Sequence, residues 1–424
     1  MKFVLASYGT RGDIEPSVAV GRELLHRGHD VRMAVPPNLV GFAEAAGLPA
    51  VAYGLDPQAI LEAQRNFSTC FYRSFWRIQE LKRLWREAWE IGSRCWSEMM
   101  TTLLSLADGA DLLFTGVSFE QPAANVAEYY DIPLATLHYF PARVNAHSLY
   151  PAILPAPLIR SIRAGDEWLF WRLTKKTEDA QRRELGLPKA TGPAARRITE
   201  RGTLEIQAYD EVCFPGLAAE WAKWDGRRPF VGALSMDLPT DADEEVASWI
   251  AAGTPPVFFA FGSIPLESAA EALAMISGAC GQLGERALVC AGGSDLSEVP
   301  HSEHVKVVGA VNYASTFPGC RVVVHHGGAG TTAIGLRAGV PALILWTTGD
   351  QPYWAVAVKR LKVGTARRLS TTTEKSLVAD LRRILAPDYA TRARELATRM
   401  TKPAESITAA ADLLEERARV RVKD

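Results

Sequence analysis

The sequence lacks several features, and each absence excludes a class of protein. The six cysteines are scattered with no C-x-x-C pair, which argues against a disulfide framework and a zinc site and suits a reducing compartment. Charge is balanced, with 47 basic and 48 acidic side chains, so no nucleic-acid partner is indicated. No uncharged apolar run approaches the roughly 18 residues of a membrane-spanning helix.

The amino terminus lacks the long apolar core of a secretory signal peptide. It reads MKFVLASYG, with one basic residue and a short apolar run, which is typical of a first β-strand. We therefore expect a cytoplasmic protein. The composition, 48% hydrophobic and 22% charged, is that of a soluble globular protein. The length of 424 residues predicts two domains.

Short apolar segments alternate with helical stretches in both halves of the chain. Such alternation implies parallel sheets covered by helices on both faces. The predicted fold class is therefore α/β, with two doubly wound Rossmann-like domains. The predicted strands are 3–6, 30–35, 111–114 and 134–137 in the first half, and 256–261, 287–291, 305–308, 321–325 and 342–346 in the second.

Composition also places the domain boundaries. We predict an N-terminal domain at 1–215, a proline-containing and acidic linker at 216–245, and a C-terminal domain at 246–402. An amphipathic helix from Glu405 to Val420 lies in the last segment, 403–424, with no strand after it.

The segment from Arg65 to Met100 departs from this alternation because it is crowded with aromatic and basic residues. On a helix of 3.6 residues per turn, Trp85, Trp89 and Trp96 share one face. The simpler interpretation is a helix packed on the sheet. The alternative is a lining for a large apolar ligand, or a face that contacts a membrane surface.

The most informative stretch is HHGGAGTT, from His325 to Thr332, between an apolar strand and a helix expected to begin near Thr331. The glycines place backbone N–H groups and a helix N-terminus at one point, which predicts an anion site. No lysine follows, so the loop of P-loop NTPases is excluded. The stretch also fits the dinucleotide pattern G-x-G-x-x-G/A. That oxidoreductase interpretation is weaker, because Asp350 does not end the next strand.

Five stretches together carry a resemblance to a known family: TRGDIEP near the start, FGS at Phe261–Ser263, HHGGAGTT, RAGVP at Arg337–Pro341 and DQPYWA at Asp350–Ala355. In order and spacing they resemble the bacterial nucleotide-sugar-dependent glycosyltransferases of the GT-B fold that include the vancomycin-type enzymes. MKFVLASYGTRGDIEP and TLHYFPAR are most similar to mycobacterial glycopeptidolipid glycosyltransferases. The resemblance implies two domains facing a cleft, with the donor in the C-terminal half, the acceptor in the N-terminal half, and a last helix crossing back.

By this resemblance Asp13 is the catalytic base of an inverting transfer, drawing a proton from the acceptor hydroxyl. At the start of a helix it should stay ionised, because the helix dipole favours its anion. The alternative from the residues alone is that Asp13 only caps the helix.

The resemblance also implies a donor site. Ser263 and His325 would contact the diphosphate, while His326 packs or holds the turn. Asp350 and Gln351 would read sugar hydroxyls, since a carboxylate and an amide together accept and donate hydrogen bonds. The predicted donor-binding residues are Arg11, Gly12, Ser263, Val311 (whose backbone would pair with the nucleobase), His325, Gly327, Gly328, Gly330, Thr331, Asp350 and Gln351.

The acceptor is expected to be amphiphilic, a glycolipid or lipopeptide, because the acceptor half carries so many large apolar groups. The enzyme would then attach loosely to the inner membrane face. The predicted acceptor-binding residues are Trp85, Trp89, His138 and Phe140.

The transferred sugar is expected to be a 6-deoxyhexose such as rhamnose or 6-deoxytalose, carried as a dTDP- or UDP-linked cosubstrate, with no cofactor. No metal is expected either, because the D-x-D at Asp241–Asp243 lies in the acidic linker. Two alternatives stay open: a sugar-nucleotide epimerase or hydrolase on the same fold, and a nucleotide-sugar-binding protein without turnover.

Overall fold

The chain folds around two parallel β-sheets of six strands each. The computed structural model describes residues 1–74, 76–147, 154–224, 226–260, 269–292 and 302–420. The first sheet contains β1 (Lys2–Ala6), β2 (Asp30–Val35), β3 (Ala50–Ala52), β4 (Leu112–Gly116), β5 (Leu134–His138) and β6 (Leu204–Gln207). The second contains β7 (Val257–Ala260), β8 (Ala287–Cys290), β9 (Val305–Val308), β10 (Val322–His325), β11 (Ala342–Trp346) and β12 (Gly364–Arg368).

Helices connect these strands and cover both sheets. Those of the first half are α1 (Arg11–His26), α2 (Val40–Ala45), α3 (Pro57–Ser74), α4 (Ile78–Ala107), α5 (Glu120–Tyr129), α6 (Ala156–Glu184), α7 (Ala194–Glu200) and α8 (Leu217–Trp221). Those of the second half are α9 (Asp243–Ala251), α10 (Ala269–Leu283), α11 (Tyr313–Thr316), α12 (Ala329–Arg337), α13 (Gln351–Arg360), α14 (Glu374–Ile384), α15 (Pro387–Ala397) and α16 (Pro403–Val420).

The first sheet has the strand order β3-β2-β1-β4-β5-β6, and the second, read from the edge at β9, has the order β9-β8-β7-β10-β11-β12. The two sheets therefore repeat one topology. Numbered within its own domain, each sheet has the order 3-2-1-4-5-6 of a doubly wound nucleotide-binding fold. The predicted fold class is thus confirmed. In such sheets ligands bind beyond the carboxyl ends of the strands where the order reverses. Those points lie between β1 and β4 and between β7 and β10.

Strands β1, β4 and β5 are apolar along nearly their whole length because helices cover them on both faces. Their largest side chains, Phe3 and Phe114, are wholly buried. In the second sheet Phe258 and Phe259 point to opposite faces and are equally buried. Each sheet therefore has its own core, and a further apolar cluster, which contains Phe214 and Trp354, joins the two halves of the chain.

The last helix, α16, returns to the first domain and packs on α1. Ala410, Ala411 and Leu414 are fully buried in the same apolar cluster as the first sheet. Beside them Arg27 donates to Asp412 over 2.6 Å. The core of the N-terminal domain is therefore completed by the last residues described.

Helices α3 and α4 pack on each other, and only part of α4 reaches the sheet. Cys95 and Leu103 are fully buried, whereas Ile78 and Trp85 are 61% and 43% exposed. The packed-helix interpretation therefore holds for the second half of α4, while its first half projects toward solvent. None of the described helices combines the length and the hydropathy needed to span a bilayer.

Candidate active site

Asp13 lies where the turn after β1 enters α1, at the carboxyl edge of the first sheet. Its Oδ2 accepts hydrogen bonds from the backbone N–H of Thr10 (2.6 Å) and from the Thr10 hydroxyl (2.9 Å). The pair forms a capping box, with Thr10 as N-cap and Asp13 as the third helical residue. Capping therefore describes part of what Asp13 does. The other oxygen, Oδ1, has a different partner.

That partner is Tyr139, a residue that the sequence did not single out. Its phenol donates a hydrogen bond to Oδ1 of Asp13. Burial raises the pKa of Asp13, and the hydrogen bonds from Tyr139 and Thr10 oppose that rise. The helix dipole was expected to dominate, but burial is the larger effect. Asp13 is consequently a stronger base than an exposed aspartate, which suits proton abstraction near neutral pH.

Asp350 brings a second carboxyl group to the same place from the other domain. It is the N-cap residue of α13. Burial and the nearby charge of Asp13 raise the pKa of Asp350 to about 7, while the backbone N–H of Ala329 at the start of α12 opposes the rise. The two carboxyl groups are therefore close enough for their charges to interact.

Gln351 follows directly and fixes the loop after β11. Its Oε1 accepts hydrogen bonds from the backbone N–H of Thr347 (2.7 Å) and from the Thr347 hydroxyl (2.9 Å). The amide oxygen of Gln351 is thus already hydrogen-bonded to the loop. For a ligand the side chain offers its Nε2 donor, which suits a sugar hydroxyl.

The glycine-rich turn after β10 has the geometry predicted for an anion site. Helix α12 begins at Ala329, two residues earlier than expected. Gly327 has a left-handed φ of +96°, and a Cβ there would lie 2.6 Å from Cγ2 of Ile344, so only glycine fits. A Cβ at Gly330, by contrast, would meet no atom within 4 Å, and Thr331 beside it is half-buried. The first N–H groups of α12 therefore lie at the switch point of the second sheet.

His325 and His326 lie at this turn in different environments. His325 is fully buried, and its Nδ1 accepts from the backbone N–H of Gly327 over 3.1 Å, which places the ring proton on Nε2. That Nε2 has no acceptor among the described residues. His326 is half-buried with its Nε2 against Gly328, 2.6 Å from where a Cβ would be. Burial lowers the pKa of His325 to about 3 and that of His326 to about 4, so both rings are neutral.

The other predicted donor-binding residues surround the cleft. Arg11 is exposed on the first turn of α1, with its guanidinium 4.9 Å from the ring centre of Phe42. Its charge also acts on Tyr313 of the second domain, so Arg11 lies between the two domains. Gly12 is exposed beside it, and Val311 is buried at the end of the loop after β9.

The D-x-D aspartate Asp243 has both carboxylate oxygens occupied. Thr240 donates to Oδ1 from its hydroxyl (2.7 Å) and to Oδ2 from its backbone N–H (2.8 Å). The backbone N–H of Asn312 donates to Oδ1 over 2.8 Å. Asp243, the first residue of α9, therefore ties Thr240 to the loop near Val311. In the part of the chain that the structure describes, no three metal-binding side chains converge.

The prediction that His138 binds the acceptor is wrong, because its side chain is fully buried. Its Nε2 contacts Glu120 over 2.9 Å, and Arg143 donates to Glu120 over 2.8 Å. Burial disfavours the charged form of Glu120, yet Arg143 and His138 hold its pKa down at about 2. This network of ion pairs and hydrogen bonds holds the end of β5 in place. His138 thus helps to place Tyr139, the residue after it.

Phe140 lies at the domain interface, half-buried, with its ring centre 4.9 Å from that of Tyr353 on α13. Arg163 of α6 donates to the carbonyl of Ala142 over 3.1 Å and also to the phenol of Tyr353. The loop after β5 is thereby fastened to the donor half, and Phe140 borders the cleft.

Trp85 and Trp89 stack on α4 with ring centres 6.2 Å apart. Phe67 of α3 lies 5.5 Å from Trp85, so the three rings form an aromatic cluster between the two helices. Ser263, in 261–268, lies outside the described residues, as do residues 148–153 between β5 and α6.

Removal of the Tyr139 hydroxyl is expected to shift the pH dependence of the reaction. Tyr139→Phe removes a hydrogen bond that stabilises the Asp13 carboxylate, so the pKa of Asp13 rises further. The base is then protonated at a higher pH, and the acid limb of the kcat/KM profile moves to higher pH. The plateau rate should fall by less than about tenfold, because the base itself remains.

Tyr8→Phe provides the control for that measurement. The Tyr8 phenol also lies in the first domain, but it donates to the carbonyl of Leu55 over 2.8 Å and not to Asp13. Its loss should leave the acid limb in place. An acid limb that is unchanged in Tyr139→Phe would show that Tyr139 does not tune the base.

Comparisons with known proteins show the family of the chain. The glycosyltransferase family 28 N-terminal domain matches residues 3–93, and the C-terminal domain of erythromycin biosynthesis protein CIII-like proteins matches residues 285–414. An uncharacterized glycosyltransferase of Mycobacterium tuberculosis is 61% identical over 420 residues, covering 99% of both chains. Glycosyltransferase GtfE of Amycolatopsis orientalis is 28% identical over 419 residues, covering 98% of this chain and 97% of that one.

Solved structures share the fold over the whole chain. The kitacinnamycin glycosyltransferase superimposes with a TM-score of 0.72 at 19% identity, covering 98% of this chain and 99% of that one. The glycosyltransferase VinC, determined in complex with dTDP, gives a TM-score of 0.65 at 17% identity, covering 98% and 100%.

Proposed function

Because the chain belongs to the bacterial glycosyltransferase family that these mycobacterial relatives represent, we propose that it moves a hexose from a nucleotide diphosphate sugar to an acceptor hydroxyl, with inversion at the sugar carbon. One observation supports this most strongly. Asp13 of the first domain lies close enough to Asp350 of the second to raise its pKa, and the N–H of Ala329 at the start of α12 stabilises the Asp350 carboxylate. The proposed base is thus near the proposed anion site.

The proposed reaction uses Asp13 as general base. Its carboxylate takes the proton of the acceptor hydroxyl while that oxygen attacks the anomeric carbon from the side opposite the diphosphate. The new C–O bond forms as the bond to the diphosphate oxygen breaks, so the configuration inverts. Thr10 and Tyr139 hold both carboxylate oxygens and keep the base in one orientation.

Charge on the departing diphosphate is met by protein groups in this proposal. The N–H groups and dipole of α12 face it, and a neutral histidine at the turn supplies a further N–H donor. Exposed Arg11, from the opposite domain, adds a full positive charge. Asp350 and Gln351 bind sugar hydroxyls. No metal is required, and the oxygens of Asp243 are already engaged by Thr240 and Asn312.

The donor we propose is a dTDP- or UDP-linked 6-deoxyhexose, such as rhamnose or 6-deoxytalose. Two observations support it: the sequence resembles mycobacterial glycopeptidolipid enzymes, and VinC, of the same fold, binds dTDP. A screen of nucleotide sugars by thermal shift should find the stabilising donor. Mass spectrometry of the reaction with a glycolipid acceptor should then find one added sugar.

The same screen separates the competing functions. Release of free or epimerised sugar from the donor alone, with no transfer product, would favour a hydrolase or an epimerase. Tight binding with no turnover on any acceptor would favour a nucleotide-sugar-binding protein. Either result would contradict the transferase proposal.

The acceptor we propose is amphiphilic, a glycolipid or lipopeptide, met by a cytoplasmic enzyme at the inner membrane face. The support is the aromatic cluster of Phe67, Trp85 and Trp89 in the acceptor half, of which Trp85 is 43% exposed. Exposed aromatic rings bury the apolar part of such a molecule favourably.

Replacing both Trp85 and Trp89 by alanine is expected to reduce transfer to the amphiphile by about tenfold, through lost apolar contact. Transfer to a water-soluble truncated acceptor should stay normal. Thermal stability should survive, because this half of α4 packs little on the sheet. If both substrates and the melting temperature suffer together, the two tryptophans belong to the helix packing and not to the acceptor site.

A further inference from the structure

The outward side of α6 carries an apolar surface that the proposed site does not use. Trp168, Leu169, Phe170 and Leu173, which we call the α6 outer face, are between 49% and 58% exposed. The opposite side of the same helix is buried through Ile159 and Trp171. Leu173 is four residues from Leu169 and three from Phe170, so it lies beside both on the surface of the helix. Large apolar groups clustered in this way on a surface usually mark a docking site.

Basic side chains flank the α6 outer face. Between residues 158 and 176 the helix carries five basic and two acidic side chains, of which Arg160 pairs with Glu220 and Lys175 with Asp179. The exposed acidic side chain of this stretch is Asp166. Arg172 and Lys176 are exposed beside the apolar side chains, and the Arg172 guanidinium lies 5.6 Å from the ring centre of Trp168. The binding partner of this face should therefore have an apolar interior and a negatively charged surface.

The α6 outer face is also close to the loop after β5, which contains Tyr139 and Phe140. Arg163, on the same helix, donates to the carbonyl of Ala142 and contacts Tyr353 of the donor domain. Leu169 is six residues further along, which is about 9 Å at 1.5 Å per residue. Whatever binds the outer face lies next to the loop that carries Tyr139 and Phe140.

We propose that the α6 outer face docks this protein on an anionic lipid bilayer, with its four apolar side chains inserted at the headgroup level. A tryptophan at the boundary, leucine and phenylalanine below it and basic residues at the rim are the composition of helices that lie in a membrane interface. A second copy of the chain is disfavoured as occupant, because two faces that each present exposed Arg172 and Lys176 repel each other. The proposal extends the membrane contact of the proposed function, and names the surface and the lipid charge that produce it.

The test is flotation of the full chain with vesicles that contain neither donor nor acceptor. The wild-type protein should float with vesicles of phosphatidylcholine mixed with anionic phosphatidylglycerol, and much less with phosphatidylcholine alone. The double variant L169S/F170S should lose at least about tenfold in partition coefficient. The double variant R172Q/K176Q should lose the preference for anionic vesicles. All these side chains are exposed, so the melting temperatures should be those of the wild type.

Leu61→Ser is the matched control, since Leu61 is 51% exposed on a different helix, α3. It should float like the wild type. The proposal is overturned if the wild type does not float, if L169S/F170S floats normally, or if only Leu61→Ser loses binding. It is also overturned if light scattering finds a wild-type dimer that L169S/F170S dissociates. Normal transfer by L169S/F170S to a water-soluble acceptor would leave the proposed reaction intact whatever flotation shows.

Discussion

Asp13→Asn is expected to lower turnover by roughly 10²-fold or more, which is the scale of losing general base assistance. The amide has the shape of the carboxylate but cannot take the acceptor's proton. Its oxygen can still accept the hydrogen bonds from Thr10 that start α1, so the fold should persist. Donor affinity should be nearly unchanged, because in the proposed reaction Asp13 contacts the acceptor and not the donor.

Three measurements check this result: initial rates at saturating donor, the dissociation constant of the nucleotide sugar, and the melting temperature. Asp30→Asn is a control of the same chemistry, since Asp30 is an exposed residue at the start of β2, paired with Arg32. It should turn over at the wild-type rate. Wild-type turnover in Asp13→Asn would leave Asp13 as a helix cap only.

His325→Ala is expected to weaken binding of the nucleoside diphosphate by about 1–2 kcal/mol, roughly tenfold, for one lost hydrogen bond to a charged group. His326→Ala should weaken it less. Because His325 is fully buried and accepts from Gly327, its loss should also lower the melting temperature. Binding is therefore measured by calorimetry at a temperature where both variants are folded.

The two substitutions distinguish which ring meets the phosphate. A larger loss in His326→Ala would assign the contact to His326 and leave the site where it is. No loss in either variant would remove the histidines from the donor site. Since burial lowers both pKa values well below neutrality, neither ring should impose a pH dependence on binding between pH 6 and 8.

The central strands were predictable because continuous apolar runs are needed where helices cover both faces of a sheet. The sequence failed at three edge strands, β3, β6 and β12. β3 has only three residues, and β12 begins with glycine and ends in two arginines. β6 buries Glu205 and Gln207, which a hydrophobic pattern counts as surface residues. The Glu205 charge is balanced by Arg143 and Arg228, which are distant in sequence.

The candidate site shows the same division between local and distant causes. Glycine requirements at Gly327 and the capping position of Asp13 are local, and the sequence predicted both turns. The difference between His138 and Tyr139 is not local. His138 points into the core because Glu120 and Arg143 bind it there, and its neighbour then points into the cleft. No pattern within TLHYFPAR shows which of His138 and Tyr139 reaches the site. The position of Tyr139 at a strand end was the one signal that could have marked it as a candidate site residue.

The return of α16 to the first domain affects how the protein is made and re-engineered. During synthesis the ribosome releases the first sheet long before Ala410, Ala411 and Leu414, which complete its core. The apolar side of α1 that α16 covers in the folded protein therefore stays exposed while the whole second domain is translated. A gene truncated before Pro403 should yield an aggregation-prone product even though every site residue is encoded. A chimera that exchanges the first domain between relatives must take α16 from the same parent as that domain.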